Sequence, residues 1–472
     1  MHDTKVTQEM GVEIWAAREV LLEGIEVTPL AEPTQAKGKR GRPQRIQPAH
    51  LWVSLLWSVL LGMKSYADWW RLFCTQTVGS FAPLTVSVDA LTTRLEQGGL
   101  EPLQQLAGYY ATRLAERLAP LVQTPLAAWA REIVSIDEST LDAVQRWLEP
   151  LRHRPKGDAA LLAGKIAGRF NLRTQQWDYL QYRSNVWANC KVEVLSLLEG
   201  LMPGSLILFD LGYFSFAWFD YLTQMGYCYI CRWREKTTYR IIHTNYRHHE
   251  ILDAVVWLGA SKGAHAGHAV RLVRFGDGKQ LRLYLTNVLD PAQLSMVDIA
   301  QLYARRWDIE LAFLTLKELL GLHHWWSSKR LLIVQQVWVV LIIAQLLQAM
   351  RLEIAAEAHV DLFDVSLPLL IKSVPHLIRQ RQNPIDWVLT HGKHLGFIRK
   401  STRLQVVAPQ IAPEHLIPLP AGLQLVRKAH YLEYQPRPGK PSKPKPKTTR
   451  LSKEASPTSP PKTPKTGKRL KL

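Results

Sequence analysis

Cysteine is scarce in this chain, and its scarcity excludes two kinds of protein. Four cysteines in 472 residues are too few for a disulfide scaffold. Two of them, Cys228 and Cys231, form a lone CxxC within YCYICRW, a run that predicts a strand. Side chains three apart in a strand point to opposite faces, which is a poor geometry for zinc. Because no second pair follows at zinc spacing, a zinc site is not expected.

Acidic residues are also in short supply. The chain has 40 Asp and Glu against 59 Lys and Arg, a formal net charge of +19, which indicates a polyanionic partner. From Arg437 to the end there are twelve Lys and Arg and a single acid, Glu454, so this tail carries +11 and leaves +8 on the rest. Its content of Pro, Lys, Ser and Thr predicts a disordered basic tail over residues 435–472.

Long uninterrupted hydrophobic runs are missing as well. The N-terminal sequence MHDTKVTQEM is polar and contains no run of the signal-peptide type. The longest apolar stretch, from Leu331 to Met350, has the length of a bilayer span, but four glutamines interrupt it. A buried core helix is therefore favoured over a membrane span. We expect a cytosolic protein without a membrane partner.

Four regions follow from the patterning of the sequence. Residues 1–125 predict short helices around a basic break, typical of a helix-turn-helix-like DNA-binding domain. Residues 126–358 alternate strands and helices, which predicts an α/β fold with a mixed sheet and a β-rich insertion at about 236–290. Helix is predicted to run almost without interruption from about 294 to 358. Residues 359–434 predict a less regular helical region, with a dimer interface as one hypothesis.

The most informative segment is YARRWDIELAFLTLKELLGL. On a single helix at about 100° per residue, Tyr303, Arg306, Glu310 and Lys317 share one narrow stripe, while apolar residues occupy the opposite side. One carboxylate flanked by Tyr, Arg and Lys suits a metal ion beside a phosphate. The alternative is a solvated charged stripe with no function.

Two further acids favour the metal site over the solvated charged stripe. Asp137 ends the apolar strand IVSID, and Asp210 ends LILFD. Either residue alone is more often a turn former or a helix cap. Together with Glu310 they would form three converging carboxylates, which repel one another unless cations neutralise them. Hard oxygen ligands favour Mg²⁺ or Mn²⁺, and two such ions about 4 Å apart catalyse phosphoryl transfer in nucleic-acid enzymes.

The chain resembles bacterial insertion-sequence DDE transposases of the subgroup marked by Y-x2-R-x3-E-x6-K. This signature matches in full from Tyr303 to Lys317, and SIDEST and FDLGYF resemble the first and second acid motifs. The resemblance covers roughly residues 45–350. It implies a ribonuclease-H-like catalytic core in which Asp137, Asp210 and Glu310 are catalytic and hold two Mg²⁺ or Mn²⁺ ions.

The resemblance also implies roles for other residues and for partners. Tyr303, Arg306 and Lys317 would hold the phosphates of a transposon end. The expected function is cut-and-paste transposition at terminal inverted repeats and a target duplex, by a homodimer associated with the prokaryotic nucleoid. An aromatic residue of the insertion, Trp233 or Trp257, would stack on a flipped base, although core packing explains either one as well.

Alternatives remain open at this stage. Arg40 and Arg42, in the segment RGRP, match the core of a minor-groove hook and equally fit a plain basic linker. A catalytically inactive transposase-derived DNA-binding protein, or a metal-dependent DNA nuclease of the same fold, would show the same three acids.

Overall fold

The structure is a computed structural model that describes residues 45–121, 127–141, 164–186, 190, 194–259, 263–276, 280–403 and 406–431. Arg40 and Arg42, the basic tail over 435–472 and residues 1–44 and 122–125 of the predicted N-terminal domain lie outside the described residues. The described residues all belong to one compact unit by their internal contacts.

A single mixed sheet organises the described chain. Its strands are β1 (Ile133–Thr140), β2 (Lys165–Asn171), β3 (Trp177–Arg183), β4 (Leu206–Phe209), β5 (Cys228–Arg232), β6 (Tyr239–His248), β7 (Ile251–Leu258), β8 (Val270–Gly276) and β9 (Leu281–Thr286). The order across the sheet is β3-β2-β1-β4-β5-β9-β8-β7-β6. Strands β1, β4 and β5 are parallel to one another, and every other neighbouring pair is antiparallel.

The three strands predicted from the runs IVSID, LILFD and YCYICRW are confirmed as β1, β4 and β5. β4 is fully buried along its length, as the uninterrupted run LILF requires for a strand covered on both faces. The sheet separates two apolar cores, and Cys228 and Cys231 pack on opposite faces because they are three apart in β5. With helices on both faces, this mixed sheet fits a ribonuclease-H-like core.

The β-rich stretch predicted at about 236–290 continues the same sheet. β9 pairs antiparallel with β5 from Ile230 opposite Thr286, and β8, β7 and β6 follow by hairpin-type pairings. A fully buried ion pair fixes this half of the sheet. Arg271 donates from Nε and Nη2 to the two oxygens of Asp253 at 2.8 and 2.6 Å.

Helices cover the sheet. They are α1 (Pro48–Leu60), α2 (Tyr66–Thr75), α3 (Val88–Gly98), α4 (Glu101–Leu118), α5 (Phe216–Gln224), α6 (Met296–Arg305), α7 (Asp308–Leu314), α8 (Arg330–Glu357), α9 (Leu367–Arg379) and α10 (Pro384–His391). The side chain of Ser87 caps α3 by accepting the N–H of Ala90. The N-terminal helices share their apolar core with α8.

Among the described residues, α8 is the helix long and apolar enough to cross a bilayer, yet 83% of its most apolar 18-residue window is buried in the protein. Its glutamines serve protein contacts. Gln345 accepts the N–H of Trp177 through Oε1 at 2.7 Å and donates to the carbonyl of the same residue at 3.2 Å. Gln335 donates to the carbonyls of Leu95 and Gly99. The predicted core helix is confirmed.

The expectation of one nearly continuous helix from 294 to 358 is wrong at two places. α6 ends at Arg305 and α7 begins at Asp308, with Arg306 turning its N–H to the carbonyl of Tyr303 at 3.1 Å. After a π-helical turn at Thr315–Leu319, Gly321 at φ +83° ends the segment, since only glycine adopts that backbone conformation at low cost. Tyr303 and Glu310 therefore lie on different helices.

The predicted helical character of residues 359–434 ends at His391. Beyond it the described chain is extended apart from a short 3-10 turn, because prolines at 409, 413, 418 and 420 prevent a regular helix. This extended segment lies along the insertion strands. Arg427 places its guanidinium 4.5 Å from the ring centre of Trp257 and donates to the carbonyls of Ala266 and Leu258.

Candidate active site

Strands β1 and β4 bring two acids together: Asp210 follows the last residue of β4, and Asp137 lies within β1, which continues to Thr140. The strands are parallel with Ser135 opposite Leu208, so two residues further on Asp137 and Asp210 come level at one edge of the sheet. Burial, and then the neighbouring charge of Asp210, raise the pKa of Asp137 to about 7. The prediction that Asp210 follows the end of its strand is confirmed, whereas the prediction that Asp137 ends its strand is wrong because β1 pairs with β2 as far as Thr140. The parallel register of β1 and β4 still makes the two acids neighbours.

Asp210 is held by the turn that follows its strand. Its Oδ1 accepts the N–H of Gly212 at 2.9 Å, which caps the short 3-10 turn Leu211–Tyr213. A Cβ at position 212 would lie 2.9 Å from the same oxygen, so the DLG sequence needs glycine for this close approach. The carboxylate is thereby fixed against its own backbone and faces the edge shared with Asp137.

Arg306 links the third acid to the first. Its Nη2 donates to Oε1 of Glu310 at 2.5 Å, and its Nη1 lies 3.7 Å from Oδ2 of Asp137. The buried hydroxyl of Ser135 donates weakly to the Arg306 carbonyl at 3.3 Å, which ties the α6–α7 junction to the centre of β1. One guanidinium thus stands between two of the three predicted catalytic carboxylates.

The neighbouring acid Glu138 has a different role. Its carboxylate accepts Nζ of Lys165 at 2.7 Å and lies 3.4 Å from Nη1 of Arg183, and both cations are almost fully buried. A carboxylate already neutralised by two fixed cations is a structural ion pair. Asp137, one residue earlier, has only the longer contact to Arg306 among the described cations.

A cavity of about 340 Å³ opens beside these residues and is walled by Asp137, Glu138, Glu310, Phe313 and Lys317, among others. Lys317 lies on the π-helical turn, and its Nζ donates to the carbonyl of Thr140 at the end of β1 at 3.1 Å. Single π turns of this kind occur frequently at functional sites. Lys317 and Glu310 thus share one open cleft with Asp137.

Tyr303 faces the protein interior. It is 9% exposed, its ring packs 5.1 Å from that of Tyr284, and its hydroxyl donates to the carbonyl of Phe209 at 3.3 Å. Burial raises the pKa of this phenol above its ordinary value. The residue therefore contacts the peptide immediately before Asp210, and its expected contact with phosphate stays a prediction.

The donor set suits a hard divalent cation, since Asp137, Asp210 and Glu310 supply only carboxylate oxygens. Within the part of the chain that the structure describes, no three acidic, histidine or cysteine side chains converge closely enough to hold one ion. The guanidinium of Arg306 occupies the space between Asp137 and Glu310. The residues fit such a cation by the chemistry of their donor atoms.

A second charged cluster behind the site was not foreseen from the sequence. Asp308, whose side chain is 0% exposed, accepts Nε of Arg305 at 2.6 Å, Nε2 of Gln175 at 3.1 Å and a guanidinium nitrogen of Arg403. Arg403 also donates to the carbonyl of Ala304. These contacts hold the α6–α7 junction from the side opposite the cleft.

Phe363 joins that cluster to α8. The guanidinium carbons of Arg305, Arg351 and Arg403 lie 4.9, 5.3 and 4.1 Å from the centre of its ring. Burial lowers the pKa of Arg351 to about 10. The Arg305 and Asp308 pair was visible as a three-residue spacing, but no local signal marks Arg403, which returns from 95 residues further along the chain.

Trp307 is 54% exposed, and the guanidinium of Arg306 lies 5.7 Å from its ring centre. The two insertion tryptophans considered from the sequence are less available. Trp257 is 4% exposed beneath Arg427, and Trp233 is half-buried against Tyr239. Trp307 was not predicted as a site residue, although its position next to Arg306 of the signature is visible in the sequence.

Comparison with known proteins finds a family model, a curated relative and solved structures that resemble this chain. Residues 191–346 match a family model described as the transposase DDE domain, a range that includes Asp210 and Glu310. The transposase for insertion sequence element IS231C of Bacillus thuringiensis subsp. berliner is 23% identical over 334 residues, covering 59% of this chain and 67% of that relative. The piggyBac transposase, solved in a synaptic complex with hairpin DNA, aligns over 85% of this chain and 87% of its own, with a TM-score of 0.41 and 8% identity.

Proposed function

Because the chain is related to bacterial insertion-sequence DDE transposases, we propose that it catalyses cut-and-paste transposition of an insertion sequence. In this proposal residues 126–358 are a ribonuclease-H-like catalytic domain acting at terminal inverted repeats in the prokaryotic nucleoid. The strand order β3-β2-β1-β4-β5, antiparallel at first and parallel afterwards, supports that fold assignment.

One observation carries the proposal. The parallel register of β1 and β4 sets Asp137 level with Asp210, and Glu310 reaches the same edge through its bond to Arg306. The three acids lie far apart in the sequence and come from three different elements. Three acids from separate elements at one edge of a sheet, together with an open cleft and a basic chain, suit phosphodiester chemistry.

Asp137, Asp210 and Glu310 would hold two Mg²⁺ or Mn²⁺ ions. Bound divalent ions would activate a water or a 3′-hydroxyl and stabilise the leaving oxygen of a phosphodiester. The chain itself positions the reacting groups. Arg306 can exchange its bond with Glu310 for one with a DNA phosphate, and Lys317 offers an ammonium group at the wall of the same cleft.

Tyr303 would support the site from beneath. Its hydroxyl bonds to the Phe209 carbonyl and so fixes the peptide that leads into Asp210. The phenol would thereby help to fix the position of the Asp210 carboxylate. Phosphate contact by the same residue would require the hydroxyl to leave this carbonyl.

The DNA partners would be the inverted repeats and a target duplex. Residues 1–125, with Arg40 and Arg42, would form the N-terminal DNA-binding domain, and the basic tail at 435–472 would add sequence-independent affinity. A homodimer would pair the two transposon ends. Residues 359–434 would form a separate C-terminal region beyond the catalytic domain.

The test is cleavage of the element's own end, taken from the DNA that flanks the coding sequence. Purified protein with Mg²⁺ should nick this DNA and join it to a supercoiled target. Asp137→Ala, Asp210→Ala and Glu310→Ala should each abolish nicking while retaining binding of the end. Near-normal cleavage by any one of the three would refute the site assignment.

Glu414→Ala is a suitable matched control, because Glu414 is an exposed acid on the extended C-terminal segment, away from the three candidate acids. This variant should cleave as the wild type does. Strand joining separates a transposase from a nuclease of the same fold, since the nuclease would give cleaved ends alone. Binding without any cleavage by the wild type would indicate an inactive DNA-binding relative.

A further inference from the structure

The hairpin of α9 and α10 carries a concentration of positive charge that the proposed active site does not use. Residues 367–403 contain seven lysines and arginines and a single acid, Asp386, a net charge of +6 in 37 residues. Six of the seven cations are exposed, and the seventh is Arg403, which is engaged with Asp308. An exposed surface of one sign at this density indicates a partner of the opposite sign.

Helix α9 presents part of this charge on one face. Lys372, His376 and Arg379 follow one another at spacings of four and three residues, and all three are exposed. The opposite face is apolar and buried, and it packs toward α8 and α10. The buried residues of that face are Leu367, Leu370, Ile371, Val374 and Leu377.

The other exposed cations lie at the two ends of α9. Arg381, at φ +57°, follows the C-terminus of the helix directly. Arg399 and Lys400 return to its N-terminal end, where the N–H of Arg399 donates to the carbonyl of Asp364 and Val365 bridges to Ile398. The surface therefore extends along the whole helix and beyond both ends.

None of these exposed cations forms an ion pair with another described residue. The two acids nearest in the chain are already occupied. Asp386 accepts the side-chain amide of Asn383 at 2.8 Å, and Asp364 accepts the backbone N–H of Ser401 at 2.7 Å. The surface charge is thus left uncompensated within the described chain.

We propose that this α9 surface, formed by Lys372, Arg379, Arg381, Arg399 and Lys400, binds the phosphate backbone of duplex DNA. Lys372 and Arg379 lie seven residues apart, roughly 10 Å along the helix axis. Over that length a duplex presents about six phosphate charges. The proposal rests on the proposed function, which supplies DNA as the partner, and it adds a contact by residues outside the proposed active site and the predicted N-terminal domain.

The same charge argues against a second copy of the chain as the occupant. A two-fold interface places the same patch of each subunit face to face. Two surfaces that each carry these five cations would then oppose each other without an intervening anion, which is unfavourable. A dimer interface elsewhere in residues 359–434 is unaffected by this reasoning.

The experiment compares two triple variants of the full-length protein. Lys372→Gln, Arg379→Gln and Arg381→Gln are combined in the α9 variant. A control variant removes the same charge from exposed positions on the insertion and the extended segment, with Lys236, Arg247 and Lys428 all changed to Gln. Binding of inverted-repeat DNA and of a scrambled duplex is measured from 0.05 to 0.5 M NaCl without divalent cations.

For the α9 variant we expect the slope of log K against log salt to shrink by about 2.7, because each lost phosphate contact contributes roughly 0.9. Affinity should fall equally for both duplexes, since backbone contacts carry no sequence information. The control variant should keep the wild-type slope.

Equal slopes for the α9 variant and the wild type would overturn the inference while leaving the proposed function intact, since the wild type would still bind. Failure of the wild-type protein to bind either duplex would refute both. A loss of self-association by the α9 variant in sedimentation without DNA would overturn the inference in favour of an interface between copies. Circular dichroism and thermal unfolding confirm that both variants are folded.

Discussion

Asp308 is expected to determine both the stability and the activity of this protein, although it faces away from the acids of the cleft. Its side chain is 0% exposed and neutralises Arg305 and Arg403 at the point where α6 gives way to α7. Asp308→Asn preserves the shape of the side chain and removes its charge. The guanidiniums around Phe363 would then lose the carboxylate that they surround.

The magnitude follows from the burial of the partners. Removing one member of a buried ion pair costs roughly 3–5 kcal/mol, because the remaining charge has no counterion. Arg305 and Arg403 are 19% and 24% exposed at their side chains, so water compensates part of the loss. We therefore expect Asp308→Asn to lower the free energy of unfolding by about 3 kcal/mol, the low end of that range.

Urea denaturation measures this change as a lower midpoint at unchanged slope. Glu414→Gln is the control, and it should stay within about 0.5 kcal/mol because the residue is an exposed acid. The double variant Asp308→Asn with Arg403→Met should be less unstable than the sum of its single changes, since it removes one of the uncompensated cations.

Activity gives an independent readout at temperatures where the variant remains folded. Glu310 is two residues beyond Asp308, so a loosened junction misplaces its carboxylate. The rate of end cleavage should therefore fall at least tenfold while the Kd for end DNA stays within about twofold. An Asp308→Asn protein that unfolds within about 1 kcal/mol of the wild type and cleaves normally would refute the reasoning.

Three further outcomes are expected. His50 is stacked between two phenylalanine rings, and burial lowers its pKa below the ordinary value of 6.5. Its neutral form therefore stabilises the fold above pH 6.5, and this stabilisation is lost as the pH falls below that value. In His50→Phe the urea midpoint should change less between pH 7 and pH 5 than it does in the wild type. Trp307→Ala should raise the Kd for end DNA about tenfold and Trp307→Phe much less, if the exposed ring stacks on a base. Arg271→Met should cost roughly 3–5 kcal/mol in the urea assay, because it leaves Asp253 buried without its cation.

Each of these outcomes has a contrary result. An unchanged pH profile in His50→Phe would place the acid sensitivity elsewhere. Equal affinities of Trp307→Ala and the wild type would leave Trp307 without a contact to DNA. A small effect of Arg271→Met would mean that water or a rearranged neighbour compensates Asp253.

The strands that form the site could be predicted because their signals are local. IVSID and LILFD are short apolar runs that end in an acid, and such runs form strands buried on both faces. Parallel strands end at one edge of the sheet, so the proximity of Asp137 and Asp210 follows once both strands are recognised. The glutamines of α8 were equally informative, because repeated amides within an apolar helix indicate partners inside the protein.

The parts that could not be predicted depend on residues distant in sequence. Periodicity alone favours one helix through Tyr303 and Glu310, and the break at Arg306 and Trp307 is stabilised from outside by Arg403. The pairing of β9 with β5, which merges the insertion into the main sheet, likewise involves strands about fifty residues apart. Neither contact leaves a pattern in the segment that it reshapes.

Arg306 and the predicted divalent ions compete for the same two carboxylates. The guanidinium bonds to Glu310 at 2.5 Å and stands 3.7 Å from Asp137, so it supplies positive charge where an ion would supply more. Arg306→Met removes this competitor and leaves the acids in place. Without DNA, Arg306→Met should therefore lower the Kd for Mn²⁺ about tenfold. This change corresponds to about 1.4 kcal/mol, close to the lowest energy of a hydrogen bond to a charged group.

Mn²⁺ titration followed by electron paramagnetic resonance measures that change without any turnover. Glu310→Gln provides the opposite control, because it removes a ligand and should weaken binding. The same Arg306→Met protein should bind end DNA more weakly, because it lacks the guanidinium that would bond to a DNA phosphate. Weaker Mn²⁺ binding by Arg306→Met would mean that the guanidinium organises the carboxylates rather than competing for them, and the exchange of Arg306 between Glu310 and a DNA phosphate would have to be abandoned.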